Sequence, residues 1–255
     1  MKANLSPGSQ EWLLAFADDE HLVGARHAAW IGLGPFLEED LAFCSIAQDE
    51  IGHAIALYEH LTDDLDHFAL LRPAADYRSA WLCELPCHEW SQALVRHWLY
   101  DQAEDLRWQT LAESSVASLS ALAARAQREE AFHREHAELF LSRIARGDEA
   151  GRARVTSTLT QLLPYAVAIW EPVAGEPEAL ADGVAAASSA ELSKQWQAKI
   201  LADLERWEFA VDWPVTQAGK EGAVVQAART IRSEHFAELQ ASLQEVIILD
   251  PAATW

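Results

Sequence analysis

The sequence predicts an all-α protein, built as a four-helix bundle that is followed by additional C-terminal helices. Apolar residues recur at intervals of three and four over long segments, and no alternating pattern typical of a β-strand persists anywhere. Two of these segments carry a Glu-x-x-His sequence within the apolar stripe. A carboxylate and an imidazole at positions i and i+3 project from one face of a helix, so this spacing also indicates metal binding.

The bundle helices are predicted over residues 9–31, 37–62, 88–113 and 117–146. Gly32, Gly34 and Pro35 mark the turn after the first helix, and Gly147 is placed to end the fourth. Residues 63–85 contain Pro73 and only short apolar runs, which is typical of the long crossover between the two helix pairs of a ferritin-like bundle.

Further helices are predicted beyond the bundle, over residues 152–170 with a kink near Pro164, and over 179–187, 190–207 and 217–248. Loops are predicted over 172–177 and 213–215. A chain of 255 residues that is 50% hydrophobic is long enough for one large core. We therefore predict a single ferritin-like domain over 1–255, with the core bundle over about 9–146 and peripheral helices over about 150–250.

The two Glu-x-x-His pairs are Glu50 with His53 and Glu130 with His133. Each pair takes two positions of an apolar stripe where leucine or isoleucine is expected. A buried, unpaired carboxylate costs several kcal/mol, so a core position rarely keeps one without a metal, a cation or a raised pKa. The stripes contain these other residues: Phe43, Ile46, Leu57 and Leu61 in the second helix, and Leu119, Leu122, Ala126, Ala137 and Phe140 in the fourth.

A four-helix di-metal site also needs one carboxylate from each of the other two helices. In an antiparallel pair, residues equidistant from the turn face each other, and the counterpart of Glu50 across the first turn is Glu20. The second turn contains no glycine or proline, so the counterpart of Glu130 falls only near residues 101–105. Asp101, Glu104 and Asp105 all remain candidates by position.

Other histidines are interpreted differently. His21 and His27 lie near Glu20 and are predicted to be packing or surface residues. His136 follows His133 by three positions but is expected to point about 60° away from the bundle face, so it is left out of the site.

Composition narrows the classes of partner. The net charge is −21 with only 19 Lys and Arg, which argues against nucleic acid or an anionic membrane as a partner. There is no run of 18 apolar residues and no hydrophobic signal segment at the start, so we expect a soluble cytoplasmic protein. Cys44, Cys83 and Cys87 are odd in number and are predicted to be reduced thiols.

Tryptophan is abundant, with 11 residues in the chain. Trp81, Trp90, Trp98 and Trp108 cluster around the third helix. Most are predicted to lie in the core, with one or two at a pocket or a subunit interface.

The motifs resemble those of a known family. Residues 48–54, followed by Leu57 and Tyr58, look like the second-helix metal motif of the phenylacetic acid catabolism family, the oxygenase subunits of phenylacetyl-CoA epoxidase. Residues 129–133 resemble the fourth-helix motif of that family. Residues 98–101 resemble its third-helix motif, in which the aspartate is the ligand.

The resemblance therefore selects Asp101 as the third-helix ligand, and Glu20 matches the spacing of the first-helix ligand. It implies two iron ions, with manganese as the alternative, since oxygen and imidazole ligands suit these metals. The implied metal ligands are Glu20, Glu50, His53, Asp101, Glu130 and His133. Ligating histidines normally donate their second ring N–H to a carboxylate, and Asp49 and Glu129 are predicted to fill that role.

The function implied by the resemblance is that of a di-iron oxygenase component in a multicomponent monooxygenase or epoxidase of phenylacetate catabolism. Such a component acts on O2 and on phenylacetyl-CoA or a related aromatic acyl-CoA, with electrons from a separate reductase. The expected assemblies are a homodimer and a hetero-complex with another family member and the reductase.

Two alternatives stay open. The chain length is closer to the family's structural, C-type component, although all six ligand positions hold competent residues. The first alternative is therefore a non-catalytic, structural component of the same complex, and the second is a stand-alone ferritin-like di-metal oxidase.

Overall fold

A computed structural model describes residues 4–214 and 229–250 of the protein. Within these ranges it contains α-helices and short 3-10 turns and no β-strand. The helices are α1 (Pro7–Ala28), α2 (Leu37–Tyr58), α3 (Leu65–Leu70), α4 (Trp81–Glu84), α5 (Trp90–Ala112), α6 (Ala117–Ala145), α7 (Glu149–Val167), α8 (Glu176–Ala181), α9 (Ser189–Arg206) and α10 (Phe236–Leu249).

The bundle consists of α1, α2, α5 and α6. Its two tightest associations are between α1 and α2 and between α5 and α6, the two helix pairs joined by short turns. The prediction of an all-α, ferritin-like fold is confirmed, and the bounds of these helices lie within a few residues of those expected from the sequence. α3, a 3-10 turn over Ala74–Asp76, and α4 occupy the crossover between the two pairs.

Local sequence explains where the bundle helices begin. The Ser6 side chain accepts a hydrogen bond from the backbone N–H of Ser9, and Pro7 occupies the first turn of α1, where its missing N–H costs nothing. α5 begins with a capping box, in which Glu89 and Gln92 each accept a hydrogen bond from the other's backbone N–H. These caps fix the first turns of two helices that carry site residues.

Gly24 sets the distance between α1 and α2. A Cβ atom at this position would lie 2.9 Å from the Glu50 Cβ and 3.0 Å from the Ile51 Cγ1. Only a glycine permits this approach without displacing α2. The two helices therefore approach each other closely at the level of Glu50.

The peripheral helices cover the outside of the bundle. α7 and α9 pack against α5, and α8 packs against α1. α7 continues through Pro164 and ends in a 3-10 turn at Ala168–Trp170. α8 begins at Glu176, three residues before the predicted 179–187 helix, and so lies partly within the predicted 172–177 loop. The predicted helix is wrong at its end, because residues 182–188 form turns.

The last predicted helix, over 217–248, is wrong over residues 229–235. The part over 217–228 lies outside the described residues, and residues 229–235 form turns before α10 begins at Phe236. These turns bury two cations: Arg229 pairs with Asp19 at 2.9 Å, and Arg232 pairs with Glu84 at 2.6 Å. A continuous helix would compete with these buried pairs, which explains the interruption.

None of the helices over residues 4–214 and 229–250 combines the length and the apolar character that crossing a membrane would require.

Candidate metal centre

The four bundle helices bring six ionisable side chains together in the core. The ligand atoms of Glu20, Glu50, His53 and Glu104 lie within 4.8 Å of one another, and those of Glu50, Glu130 and His133 form a second such group. Glu50 belongs to both groups, as a carboxylate between two metal ions would. We call this set of six, all fully buried, the carboxylate layer.

The two histidines of the layer approach the carboxylates through the same ring atom. His53 Nδ1 lies 3.4 Å from Glu20 Oε2, 3.5 Å from Glu104 Oε1 and 3.6 Å from Glu130 Oε1. His133 Nδ1 lies 3.2 Å from Glu130 Oε1. Both Nδ1 atoms therefore point toward the centre of the bundle.

Many of these converging atoms have no hydrogen-bond partner among the described residues. Burying a polar atom without a partner costs about 1–3 kcal/mol, more for a charged group, so native cores seldom accumulate such atoms. A bound cation would satisfy all of them together. The atoms in question are Glu20 Oε2, both carboxyl oxygens of Glu50 and of Glu130, Glu104 Oε2, and Nδ1 of His53 and of His133.

The electrostatics of the carboxylate layer show the same need for a cation. Burial and the nearby Glu104 raise the pKa of Glu20 to about 8. Burial and neighbouring carboxylates also raise the pKa values of Glu50 and Glu130 well above their ordinary range. Burial opposes the charge on His53, but the nearby carboxylates of Glu104 and Glu20, 3.5 and 3.4 Å from its Nδ1, prevail and raise its pKa to about 12. Without a metal, the layer must take up protons.

The outer ring nitrogens of the two histidines are held by carboxylates. His53 Nε2 lies 2.9 Å from Glu129 Oε2, and His133 Nε2 lies 3.3 Å from Asp49 Oδ2. Each predicted carboxylate thus contacts the histidine of the opposite Glu-x-x-His pair. An ionised carboxylate only accepts, so these contacts hold a ring proton on Nε2 and turn Nδ1 toward the centre, where its lone pair would bind a metal once the Nδ1 proton is lost.

Two aromatic residues hold carboxylates of the layer in place. The Tyr100 hydroxyl donates to Glu20 Oε1 at 2.5 Å, and Trp108 Nε1 donates to Glu104 Oε1 at 2.8 Å. Neither role was predicted from the sequence. The available signal was spacing, because both residues lie four positions from Glu104 on α5 and so share its face.

The third-helix position differs from the one that the resemblance selects. Glu104 belongs to the first ligand group, whereas Asp101 belongs to neither. Asp101 is also fully buried, but its Oδ2 lies 3.0 Å from His97 Nδ1. Asp105, the remaining candidate by position, pairs with Arg134 at 3.0 Å. The structure thus brings Glu104 to the centre and places Asp101 one helical turn away.

A second set of polar side chains lies next to the carboxylate layer, toward the α1–α2 turn. His97 Nε2 lies 3.3 Å from His136 Nδ1, and His136 Nε2 lies 3.0 Å from Glu39 Oε2. The His27 ring stacks edge-on against His97 with centroids 5.2 Å apart. We call this set the histidine layer, and its members are His27, Glu39, His97, Asp101 and His136.

The ligand atoms of the carboxylate layer fit a pair of hard or borderline metal ions. Carboxylate oxygen and imidazole nitrogen suit iron and manganese, and no described cysteine lies among them. Two Glu-x-x-His pairs with single carboxylates from the other two helices form the ligand set of di-metal carboxylate bundles. The fold and the site therefore define a ferritin-like bundle with a candidate di-metal centre.

Comparison with known proteins agrees with this class. The chain belongs to the phenylacetic acid catabolic protein family, whose model matches residues 1–255, and the resemblance noted from the sequence is confirmed. It is similar to the C component of 1,2-phenylacetyl-CoA epoxidase from Escherichia coli (strain K12). The two are 23% identical over 250 residues, which cover 96% of this chain and 98% of that relative.

Proposed function

We propose that this protein is a di-iron oxygenase component of a multicomponent monooxygenase or epoxidase in phenylacetate catabolism. One observation supports this above all: four carboxylates and two imidazoles converge, fully buried, and most of their inward atoms have no partner within the described ranges. Glu20, Glu50, His53, Glu130 and His133 would hold the metals, with manganese as the alternative to iron. Glu104 joins them by its position in the structure.

The proposed substrates are O2 and phenylacetyl-CoA or a related aromatic acyl-CoA. Bound iron would supply the electrons that reduce O2, and the oxidised centre would then need electrons from outside. Cys44, Cys83 and Cys87 form no cluster among the described residues that could hold an iron-sulfur group. A separate reductase acting in the cytoplasm therefore belongs to the proposal.

The first test is metal content. After iron-rich expression and anaerobic reconstitution, we expect about two iron ions per chain, as the two ligand groups require. Less than about 0.2 transition-metal ion per chain would contradict a di-metal centre of this type. Asp101→Ala and Glu104→Ala, measured separately, identify the third-helix ligand. Loss of iron in Glu104→Ala alone supports the structure, and loss in Asp101→Ala alone supports the family motif.

A second candidate function is that of a non-catalytic, structural component of the same complex. The end-to-end similarity to a protein named as the C component of an epoxidase favours it. Turnover separates the two functions, since an oxygenase component loaded with iron must oxidise an aromatic acyl-CoA when partner and reductase are supplied. If no acyl-CoA is oxidised while Glu130→Ala leaves assembly of the complex intact, the structural function is the correct one.

Association with other proteins has support on the surface near the α1–α2 turn. Several large apolar side chains are exposed there, with Leu33 66% and Leu37 70% accessible. Exposed apolar groups of this size often mark protein interfaces. We propose a homodimer in isolation and a hetero-complex with another family member, and light scattering of Leu37→Glu with and without the partner tests both. Unchanged masses would remove this face from either interface.

A further inference from the structure

Four tryptophans form a series from the carboxylate layer toward the surface: Trp108, Trp170, Trp196 and Trp213. Trp108 is fully buried beside the candidate metal centre, and Trp213 is half-buried. Tryptophan is among the amino acids that lose an electron most easily. The metal chemistry proposed above uses none of the 11 tryptophans.

Trp108 contacts the carboxylate layer in two ways. Its Nε1 donates to Glu104 Oε1 at 2.8 Å, and its ring lies edge-on to the His53 ring with centroids 5.1 Å apart. A hydrogen bond from the indole to a carboxylate stabilises the positive charge that remains when an electron leaves. Trp108 is therefore placed both to reach the centre and to be oxidised by it.

Phe16 and Arg107 connect Trp108 to the next tryptophan. The Phe16 ring lies 4.6 Å from the Trp108 ring, centroid to centroid. The Arg107 guanidinium lies 5.3 Å from the Phe16 centroid and 5.6 Å from that of Trp170. The Phe16 and Arg107 side chains thus connect Trp108 to Trp170, beside a small cavity of about 30 Å³ that Phe16, Arg107 and Trp170 help to line.

Direct ring contacts complete the series. Trp170 and Trp196 have centroids 6.4 Å apart, and Trp196 and Trp213 have centroids 5.8 Å apart. Trp196 also donates its Nε1 hydrogen to the Leu99 carbonyl at 3.1 Å, which fixes its ring between the other two. The series therefore ends at an indole that solvent can reach.

We propose that these four tryptophans carry one-electron oxidising equivalents from the di-metal centre to the surface when no substrate is present to be oxidised. The inference rests on the proposed function, because the oxidant is the metal centre after O2 has taken its electrons. Its effect is protective: the damage is moved away from the ligands to a residue that solvent reductants can repair.

Electrons and protons balance along the series. Trp108 gives one electron to the oxidised centre and receives one from Trp170. Trp170 in turn receives an electron from Trp196, and Trp196 receives one from Trp213. Trp213 is left one electron short and releases its indole proton to water. A thiol in solution then returns an electron and a proton to Trp213. Without a thiol, the Trp213 radical combines with O2 to form a peroxyl radical, which takes one electron from Fe(II) in solution and one proton from water and becomes an indole hydroperoxide.

The experiment loads the protein with Fe(II) and exposes it to O2 without substrate or thiol, with catalase present to remove free peroxide. Peptide mass spectrometry then measures oxidation at each tryptophan, and electron paramagnetic resonance detects an organic radical. Trp98 and Trp207 serve as a buried control pair, with centroids 5.3 Å apart. Trp30 is half-buried, as Trp213 is, and controls for accessibility.

We expect oxidation at Trp213 to exceed that at Trp30 several-fold, and to depend on iron. Trp196→Phe interrupts the series, so oxidation at Trp213 should fall and oxidation at Trp108 and Trp170 should rise. The milder Trp213→Phe change should make Trp196 the end point.

Several results would overturn the inference. Bound iron with oxidation spread equally over Trp213 and Trp30 overturns it and leaves the metal proposal standing. An unchanged pattern in Trp196→Phe has the same meaning. Absence of bound iron overturns both.

Discussion

The carboxylate layer and the histidine layer lie next to each other in the same bundle core, their members about one to two helical turns apart, yet they differ in how their buried polar groups are neutralised. The carboxylate layer holds more acceptors than donors, and many of its inward atoms have no partner in the described part of the chain. The histidine layer also has buried atoms without a hydrogen-bond partner among the described residues, on His27, His97 and Asp101. Three of its five members are imidazoles that burial keeps neutral, however, and contacts of 3.0–3.3 Å connect Asp101, His97, His136 and Glu39. The difference teaches that an excess of buried carboxylates, and not buried polarity as such, creates the need for a cation from outside.

The pKa values of the histidines differ between the two layers: that of His53 is raised, whereas those of His97 and His136 are lowered. Burial lowers the pKa of His97 and of His136 to about 3, so these rings stay neutral. Neutral imidazoles can donate through one nitrogen and accept through the other, which lets neighbouring rings act as each other's partners. Carboxylates cannot do so unless they take up protons or bind metal.

The largest expected effect is that of metal on stability. Fe(II) or Mn(II) at about 1,000 times its Kd should stabilise the fold by about 4 kcal/mol. For a chain of this size that amounts to a rise in Tm of about 8–16 °C. Differential scanning fluorimetry under anaerobic conditions measures it. A Tm that does not respond to either metal would remove the distinction between the two layers.

Replacing Glu50 with leucine tests the carboxylate layer alone, because Glu50 belongs to both of its ligand groups and to no part of the histidine layer. The change removes a buried carboxyl group that has no hydrogen-bond partner within the described ranges and faces other carboxyl groups, so the metal-free protein should gain about 1–4 kcal/mol of stability. The stabilisation by metal should disappear in the same variant. Glu135→Leu alters an exposed glutamate and is the matched control, expected within about 0.5 kcal/mol of the wild type. A less stable Glu50→Leu protein would show that the Glu50 charge is already compensated.

The corresponding change in the histidine layer should have the opposite sign. His136→Phe leaves Glu39 and His97 without their common partner, so the metal-free protein should lose about 1–3 kcal/mol. The rise in Tm on metal binding should persist, because His136 belongs to neither ligand group. Urea denaturation with and without metal tests both statements. Loss of the metal response would mean that the two layers are coupled.

A smaller effect is expected in the pH dependence of the stability of the metal-free protein, to which one group from each layer, Glu20 and His97, contributes. The pKa of Glu20 rises from 4.5 to about 8, so its contribution is complete below pH 4.5 and is lost as pH rises toward 8. The pKa of His97 falls from 6.5 to about 3, so its contribution is complete above pH 6.5 and is lost as pH falls toward 3.

A Tm profile of the metal-free protein should therefore decline on both sides. Glu20→Gln should reduce the alkaline decline only, because an amide does not titrate. Metal should reduce it too, since the ions replace the protons that the layer otherwise takes up. An alkaline decline that persists unchanged in Glu20→Gln would assign it to groups outside the carboxylate layer.

The sequence predicted the bundle and much of the candidate centre because both depend on helical spacing. The separation of Glu50 from His53 fixes them on one face, and the turn at Gly32 to Pro35 relates Glu50 to Glu20. The choice between Asp101 and Glu104 could not be made by position. Both residues face the core one turn apart, and the turn before α6 has no glycine or proline to define the register.

The histidine layer could not be predicted for a different reason. His27, His97 and His136 come from three helices, and each one alone is a common packing residue. Only the assembled bundle brings His97 and His136 within 3.3 Å. The turns at residues 229–235, within the last predicted helix, have the same origin, since a buried partner of Arg229 lies on α1 and outweighs local helical periodicity.

The contact between Arg229 and Asp19 spans 210 positions of the sequence, and Asp19 immediately precedes Glu20. During synthesis, the first helix leaves the ribosome long before Arg229 has been made. Asp19 can therefore pair with Arg107 first, and it pairs with Arg229 only after the segment that contains Arg229 has folded against α1. Contacts of such long range form slowly. The folding of the segment that contains Arg229 therefore completes the ion pairs around Asp19, directly beside the candidate metal ligand Glu20.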